Sequence, residues 1–237
     1  CIDGNTGTQI WNFTTTGLIA PSPTAADLNH DGQLEIVFGS WDNSVYCLNA
    51  SDGTQLWRYT GIYRPSGYSP TIADIDLDGD YEVFVGAYDN YVHCLNGVNG
   101  TREWRFRTDD YALSSATVVD IDNDGAFEAI VPSRDGNVYC LNASGDLVWT
   151  YHTNDNIHCG ASVADIDMDH QLEIIVSSRD DYLHCIDGDS GLAEWTYYLG
   201  DYGWGIPTVV DFDGDGVLEM IVTVGWSGVE SRIFCLS

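Results

Sequence analysis

The chain has 237 residues, 44% of them hydrophobic, with 8 Trp and 14 Tyr, which is ample apolar material for a core and excludes a disordered chain. Its charge is lopsided: 8 Arg, no Lys and 37 Asp plus Glu give −29 at pH 7, which argues against nucleic acid and anionic membranes as partners. No run of eighteen apolar residues occurs, so no membrane-spanning helix is expected, and Cys1-Ile2-Asp3-Gly4 lacks the basic flank and apolar run of a leader.

In chain order, residues 5–11 read as a turn and a short strand ending on Trp11. An acidic loop follows, with Asp27, Asn29, Asp31, Gln33 and Glu35 at positions 1, 3, 5, 7 and 9. It recurs as Asp74, Asp76, Asp78, Asp80 and Glu82, and again as Asp120, Asp122, Asp124, Ala126 and Glu128. The fourth copy is Asp165, Asp167, Asp169, Gln171 and Glu173; the fifth is Asp211, Asp213, Asp215, Val217 and Glu219. First positions lie 47, 46, 45 and 46 residues apart, the mark of a repeat architecture. The repeat runs end to end with no linker, so one domain over residues 1–237 is expected.

The unit is clearest over residues 68–107. A first strand over 68–73 enters the acidic loop, and strands follow over 81–86, 91–95 and 103–106, separated by turn residues. Short strands rich in β-branched and aromatic residues make a four-stranded meander, and such sheets repeated around a ring make a β-propeller. Trp11, Trp57, Trp104, Trp149 and Trp195 mark the fourth strand of successive units and are read as packing between blades. The chain opens on a fourth strand and closes on a third, Arg232 to Cys235. The expected fold is therefore all-β: a five-bladed propeller of four-stranded antiparallel blades, its ring closed by the N-terminal strand completing the last blade and leaving no open sheet edge there. Because Cys1 begins in mid-repeat, a mature or trimmed fragment is expected.

Carboxylates crowded at alternate positions of one loop repel unless a hard cation joins them, and Ca²⁺ takes six to eight oxygens at roughly 2.3–2.6 Å. About five calcium sites are expected. Position 7 carries no consistent side chain, so its ligand is expected to be the backbone carbonyl, and position 9 either ligates or stands behind the cage. Position 6 is Gly32, Gly79, Gly125 and Gly216, as a left-handed turn prefers, but His170 in the fourth loop, which is expected to be the weakest.

The Asp-x-Asp-x-Asp-Gly loops resemble those of FG-GAP and VCBS repeats, including the calcium loops of integrin α-subunit propellers. The stretch Cys47-Leu48-Asn49-Ala50-Ser51-Asp52-Gly53-Thr54-Gln55-Leu56-Trp57 resembles the tryptophan motif of PQQ-like propeller repeats. The two patterns alternate through the chain and imply a propeller. They leave function open, since such folds host adhesion, lectin, scaffold and enzyme activities.

Cys1, Cys47, Cys94, Cys140, Cys185 and Cys235 share one place in the repeat and read as small buried thiols, with Cys1 and Cys235 able to pair if the ring closes; Cys159 stands outside the pattern. Asn12, Asn49, Asn99 and Asn142 open glycosylation sequons, a weak sign of secretion. The repeats differ most on the face opposite the acidic loops. There the loops between blades carry Tyr63, Arg64, Tyr111, His158, Tyr202 and Trp204, and the second-to-third turns carry Trp41, Tyr88, Arg134, Arg179 and Trp226. Aromatic platforms beside polar groups suit sugar stacking and protein interfaces alike. The chain is thus expected to be a monomeric, calcium-stabilised, extracellular or cell-surface module that binds a glycan or a cell-surface protein without catalysis. The alternatives are a polysaccharide-active enzyme using Asp109, Asp110, Asp155 or Asp201 in the funnel, and a scaffold without a ligand.

Overall fold

The computed structural model describes residues 1–225 and 231–236. Five antiparallel sheets follow one another along the chain, and among the described residues there is no α-helix. The first holds β1 (Thr24–Ala26), β2 (Glu35–Ser40), β3 (Ser44–Asn49) and β4 (Gln55–Tyr59). The second holds β5 (Thr71–Ala73), β6 (Glu82–Gly86), β7 (Tyr91–Asn96) and β8 (Arg102–Arg107). The third runs through β9 (Thr117–Val119), β10 (Glu128–Pro132), β11 (Asn137–Leu141) and β12 (Leu147–His152), and the fourth through β13 (Ser162–Ala164), β14 (Glu173–Ser177), β15 (Tyr182–Asp187) and β16 (Ala193–Tyr198). The fifth has β17 (Thr208–Val210), β18 (Glu219–Val224) and β19 (Arg232–Leu236). In every sheet each strand pairs with the next in sequence, the meander of a propeller blade.

Burial explains the composition of each strand. β6, β10 and β14 are buried at every residue, which suits Val, Ile and Phe on both faces of a strand sandwiched between neighbouring blades. The fourth strands alternate: in β8 only Trp104 and Phe106 turn inward. Across the third-to-fourth pairing the small Cys faces the large Trp, as Cys47 with Trp57, Cys94 with Trp104, Cys140 with Trp149 and Cys185 with Trp195, and the register slips by a bulge just after each Cys. Burial pushes the Cys47 and Cys140 thiols up to about 12, so they behave as small apolar fillers.

Two sets of contacts join the blades. Near the first strands a hydroxyl donates to the backbone of the following blade: Thr24 Oγ1 to Pro70 O at 2.6 Å, Thr71 Oγ1 to Ala116 O at 2.7 Å, Thr117 Oγ1 to Ala161 O at 3.0 Å, and Ser162 Oγ to Pro207 O. On the outer side four of the five fourth-strand indoles donate to the next blade's hairpin: Trp11 Nε1 to Ala50 O at 2.9 Å, Trp57 to Gly97 O at 2.8 Å, Trp104 to Ala143 O at 2.8 Å and Trp149 to Gly188 O at 3.0 Å, while Trp195 packs on the core cluster that includes Met220. Those hairpins turn through a glycine lying on the indole. A Cβ built on Gly100, whose φ is +70°, would come within 2.6 Å of the Trp57 ring. The tryptophans thus pack between blades as their spacing predicts.

The expected completion of the last blade by the N-terminal strand is not made among the described residues. β19 pairs with β18 alone. The place beside Gln9–Trp11 is held by residues 1–3 of the same segment: Ile2 bridges Gln9, Asp3 N donates to Thr8 O at 2.9 Å, and Ile10 N donates to Cys1 O at 3.0 Å. Thr208, the fifth member of the hydroxyl ladder, is exposed, as is Pro23, the carbonyl it would reach across a closed ring. Cys1 and Cys235 are exposed free thiols, so the pairing considered for them is not formed, and Cys159 is buried in the core beside Ser177.

Candidate metal loops and the opposite face

The five acidic loops share one hydrogen-bond pattern. The position 1 carboxylate accepts the amide of position 6, as Asp27 from Gly32 at 2.9 Å, Asp74 from Gly79 at 3.1 Å and Asp211 from Gly216 at 3.0 Å. Position 3 accepts the amide of position 5, and position 5 accepts that of position 7, the latter at 2.7–2.8 Å from Gln33, Asp80, Ala126, Gln171 and Val217. His170 follows the pattern: at φ +74° its amide donates to Asp165 at 3.1 Å, so its backbone takes the conformation that glycine takes in the other loops. Position 4 is left-handed too, at His30, Leu77, Asn123, Met168 and Gly214, a requirement its varied side chains conceal.

Position 9 has a structural task. Glu35, Glu82, Glu128, Glu173 and Glu219 are all buried, and each accepts the amide of position 2, at Leu28, Ile75, Ile121, Ile166 and Phe212. In the first three loops this clasp anchors the apolar position 2 residue in the core, Leu28 at 1% exposure and Ile75 and Ile121 at 2%, whereas Phe212 in the fifth is exposed. Burial, with the neighbouring carboxylates, lifts Glu82 and Glu173 to about 7.

Among the described residues, four groups of carboxylates converge closely enough to hold a metal ion: Asp74, Asp76 and Asp78; Asp120, Asp122 and Glu128; Asp165, Asp167 and Glu173; Asp211, Asp213 and Glu219. In the first loop Asn29 takes the place of a carboxylate at position 3. Asp120 Oδ1 and Asp165 Oδ1 are buried without a protein partner although their other oxygens accept amides. An all-oxygen donor set with an unpartnered buried carboxylate oxygen fits a hard divalent cation.

The opposite face is built by a motif that the repeat pattern concealed. Asp42, Asp89, Asp135 and Asp180 each stand four residues before Tyr46, His93, Tyr139 and His184 and bind them at 2.8–3.1 Å. The same carboxylates accept the amides of Thr16, Tyr63, Asp109 and Asn154, pinning each inter-blade loop to the second-to-third turn. Burial would raise Asp180, yet hydrogen bonds from His184 and the Asn154 amide outweigh it and hold the carboxyl below its usual range. The recurring Asp-x-x-x-Tyr/His spacing is the signal that could have found this scaffold.

On that scaffold most of the expected face residues meet. Arg64, left-handed at φ +47°, stacks on Trp41 at 4.1 Å and Tyr88 at 5.2 Å, and Tyr88 packs on Tyr111 at 4.9 Å. Arg134 lies 5.5 Å from the Tyr111 ring, and Arg179 lies 4.5 Å from Tyr202. His158 packs on Trp204 at 4.7 Å, and its carbonyl accepts the Tyr68 hydroxyl from two blades away. Asn156 links neighbouring blades, donating to Arg134 O and accepting from Arg179 N. Tyr63 is exposed and its ring joins no aromatic or cation–π contact among the described residues; Trp226 lies outside the described residues. Asp110, Asp155 and Asp201 each accept the amide of the following residue. The sequons have a structural cause: the Asn49, Asn99 and Asn142 side chains cap hairpin turns by accepting the amide two residues on.

Solved structures share this architecture. BamB from Moraxella catarrhalis is 15% identical with a TM-score of 0.65, over 97% of this chain and 69% of that one. The computationally designed Ika8 protein is 12% identical with a TM-score of 0.64, over 90% of this chain and 57% of that one. At such identities the likeness shows the fold. No curated protein matches the sequence. The family model described as outer membrane protein assembly factor BamB matches residues 1–169, well over half of the 237, which agrees with the PQQ-like repeat motif. The chain belongs to that family.

Proposed function

We propose that this protein is a non-catalytic binding module of the cell envelope or cell surface. Its acidic loops hold calcium, and its ligand lies on the face opposite them. The observation that carries this reading is the convergence of Trp41, Arg64, Tyr88, Tyr111 and Arg134 in one run of stacked contacts, with Arg179 stacked on Tyr202 in a second. Aromatic faces beside arginine are what a glycan ring and its hydroxyls require. The likeness of the loops to FG-GAP and VCBS repeats, and the all-oxygen donor sets, support calcium as the ion.

A glycan screen with immobilised protein tests the reading. Binding by the native chain, lost in Trp41→Ala and Tyr88→Ala with the melting temperature preserved, is the expected result. Turnover of a polysaccharide would instead favour an enzyme. The family's description as an assembly factor supports a second reading, docking of a partner protein on the same face; capture of a protein with no glycan binding would favour it.

A further inference from the structure

The 8 arginines of this chain sit among 37 acidic residues, yet the only ion pairs among the described residues involve histidine. Arg64, Arg134 and Arg179 are gathered on the ligand face, held by aromatic rings instead of carboxylates. Guanidinium groups normally find carboxylates, and the planar fork of arginine matches a carboxylate in two parallel hydrogen bonds. Arg134 Nε, Arg179 Nε and His158 Nε2 are buried without a protein partner, on loops joined through Asn156. Arg134 and Arg179 both act on His158, which burial and their charge keep toward its neutral form. Buried guanidinium donors with no acceptor are costly, and the two on adjacent loops of one face call for an acceptor from outside.

We propose that the ligand is an acidic glycan, its carboxylate held by Arg134 and Arg179 and a sugar ring stacked on the adjoining aromatic side chains. The inference rests on the reading of this face as the ligand face and names the chemical class of the ligand. The overall charge of −29 selects against polyanions, so the ligand is short or sparsely charged.

Calorimetry with a hyaluronan tetrasaccharide and its carboxyl-reduced, neutral counterpart tests the inference, using the native chain with calcium present. The acidic form is expected to bind about tenfold tighter or more, since charge-assisted hydrogen bonds are worth about 1.5–3 kcal/mol. Arg134→Gln with Arg179→Gln should abolish that preference and leave the melting temperature and its calcium response intact. Equal binding of both sugars would overturn the acidic assignment while leaving a glycan-binding face standing. Binding of neither would overturn both. An acid preference that survives in a folded double variant would place the carboxylate elsewhere and overturn the assignment to these arginines. Should the double variant fail to fold, the comparison of the two sugars on the native chain still decides.

Discussion

At the scale of single residues, Asp180 shows how one carboxylate orders a loop. It accepts from His184, from the Asn154 amide at 3.0 Å and from the Tyr182 amide at 3.1 Å, and its side chain is 5% exposed. Its carboxyl is depressed below 3.8, so the folded state favours the ionised form. That contribution is complete above the ordinary carboxylate range and is lost as pH falls through the depressed value, because only then does the native state take up the proton. Asp180→Asn is therefore expected to lower stability at neutral pH by about 1–3 kcal/mol and to flatten the acid limb of a stability–pH curve. Denaturant melts between pH 3 and 7 measure both; an unchanged acid limb would remove Asp180 from the account. This role was harder to see in the sequence, because the residue four places on changes between Tyr and His and each Asp alone reads as ordinary turn chemistry. The carboxylates of the acidic loops were legible because five copies share one spacing, while the positive φ at Leu77 and Met168 was not, since those side chains give no sign of it.

At the scale of elements, the blade was readable from the alternation of β-branched and aromatic runs with turns, and strands expected over 81–86 and 91–95 appear as Glu82–Gly86 and Tyr91–Asn96. The first strands are shorter than expected, since only Thr71–Ala73 of the stretch 68–73 pairs with β6. The residues before them turn toward the neighbouring blades, and Pro70 O accepts the Thr24 hydroxyl. The indole contacts between blades were legible from the tryptophan spacing, but the hydroxyl contacts were not, because Thr and Ser are common throughout the chain and donor and acceptor lie one whole repeat apart. Thr71 tests them. Its hydroxyl spans two blades, so Thr71→Val should cost about 1 kcal/mol in a chemical melt. Thr208 stands at the equivalent place on the fifth blade, exposed and outside the ladder, so Thr208→Val should change stability by less than about 0.5 kcal/mol. Equal costs would mean that in solution Thr208 meets a neighbour, as ring closure would require.

At the scale of the whole molecule, the acidic loops concentrate the negative charge that folding must tolerate. Each loop joins the first strand of a blade to its second, and its buried glutamate clasps the backbone two residues into the turn. Without a cation, carboxylates such as those of Asp120, Asp122 and Glu128 face one another in a partly buried setting. A cation bound only by the folded loops stabilises by about 2.7 kcal/mol at a hundred times its dissociation constant. Several such sites together reach about 10 kcal/mol, comparable with the whole stability of a typical domain at about 5–15 kcal/mol. For a chain of this length each kcal/mol moves the melting temperature by about 2–4 °C, so chelation should lower it by about 20 °C or more. Thermal melts with calcium and with chelator, beside a count of bound ions, measure this directly. His170 keeps the hydrogen bonds of its loop, so His170→Gly is expected to leave the ion count unchanged while relieving the strain of a left-handed histidine. A melting temperature indifferent to chelator would remove the metal from the fold and leave the acidic loops as surface turns closed by their own amides.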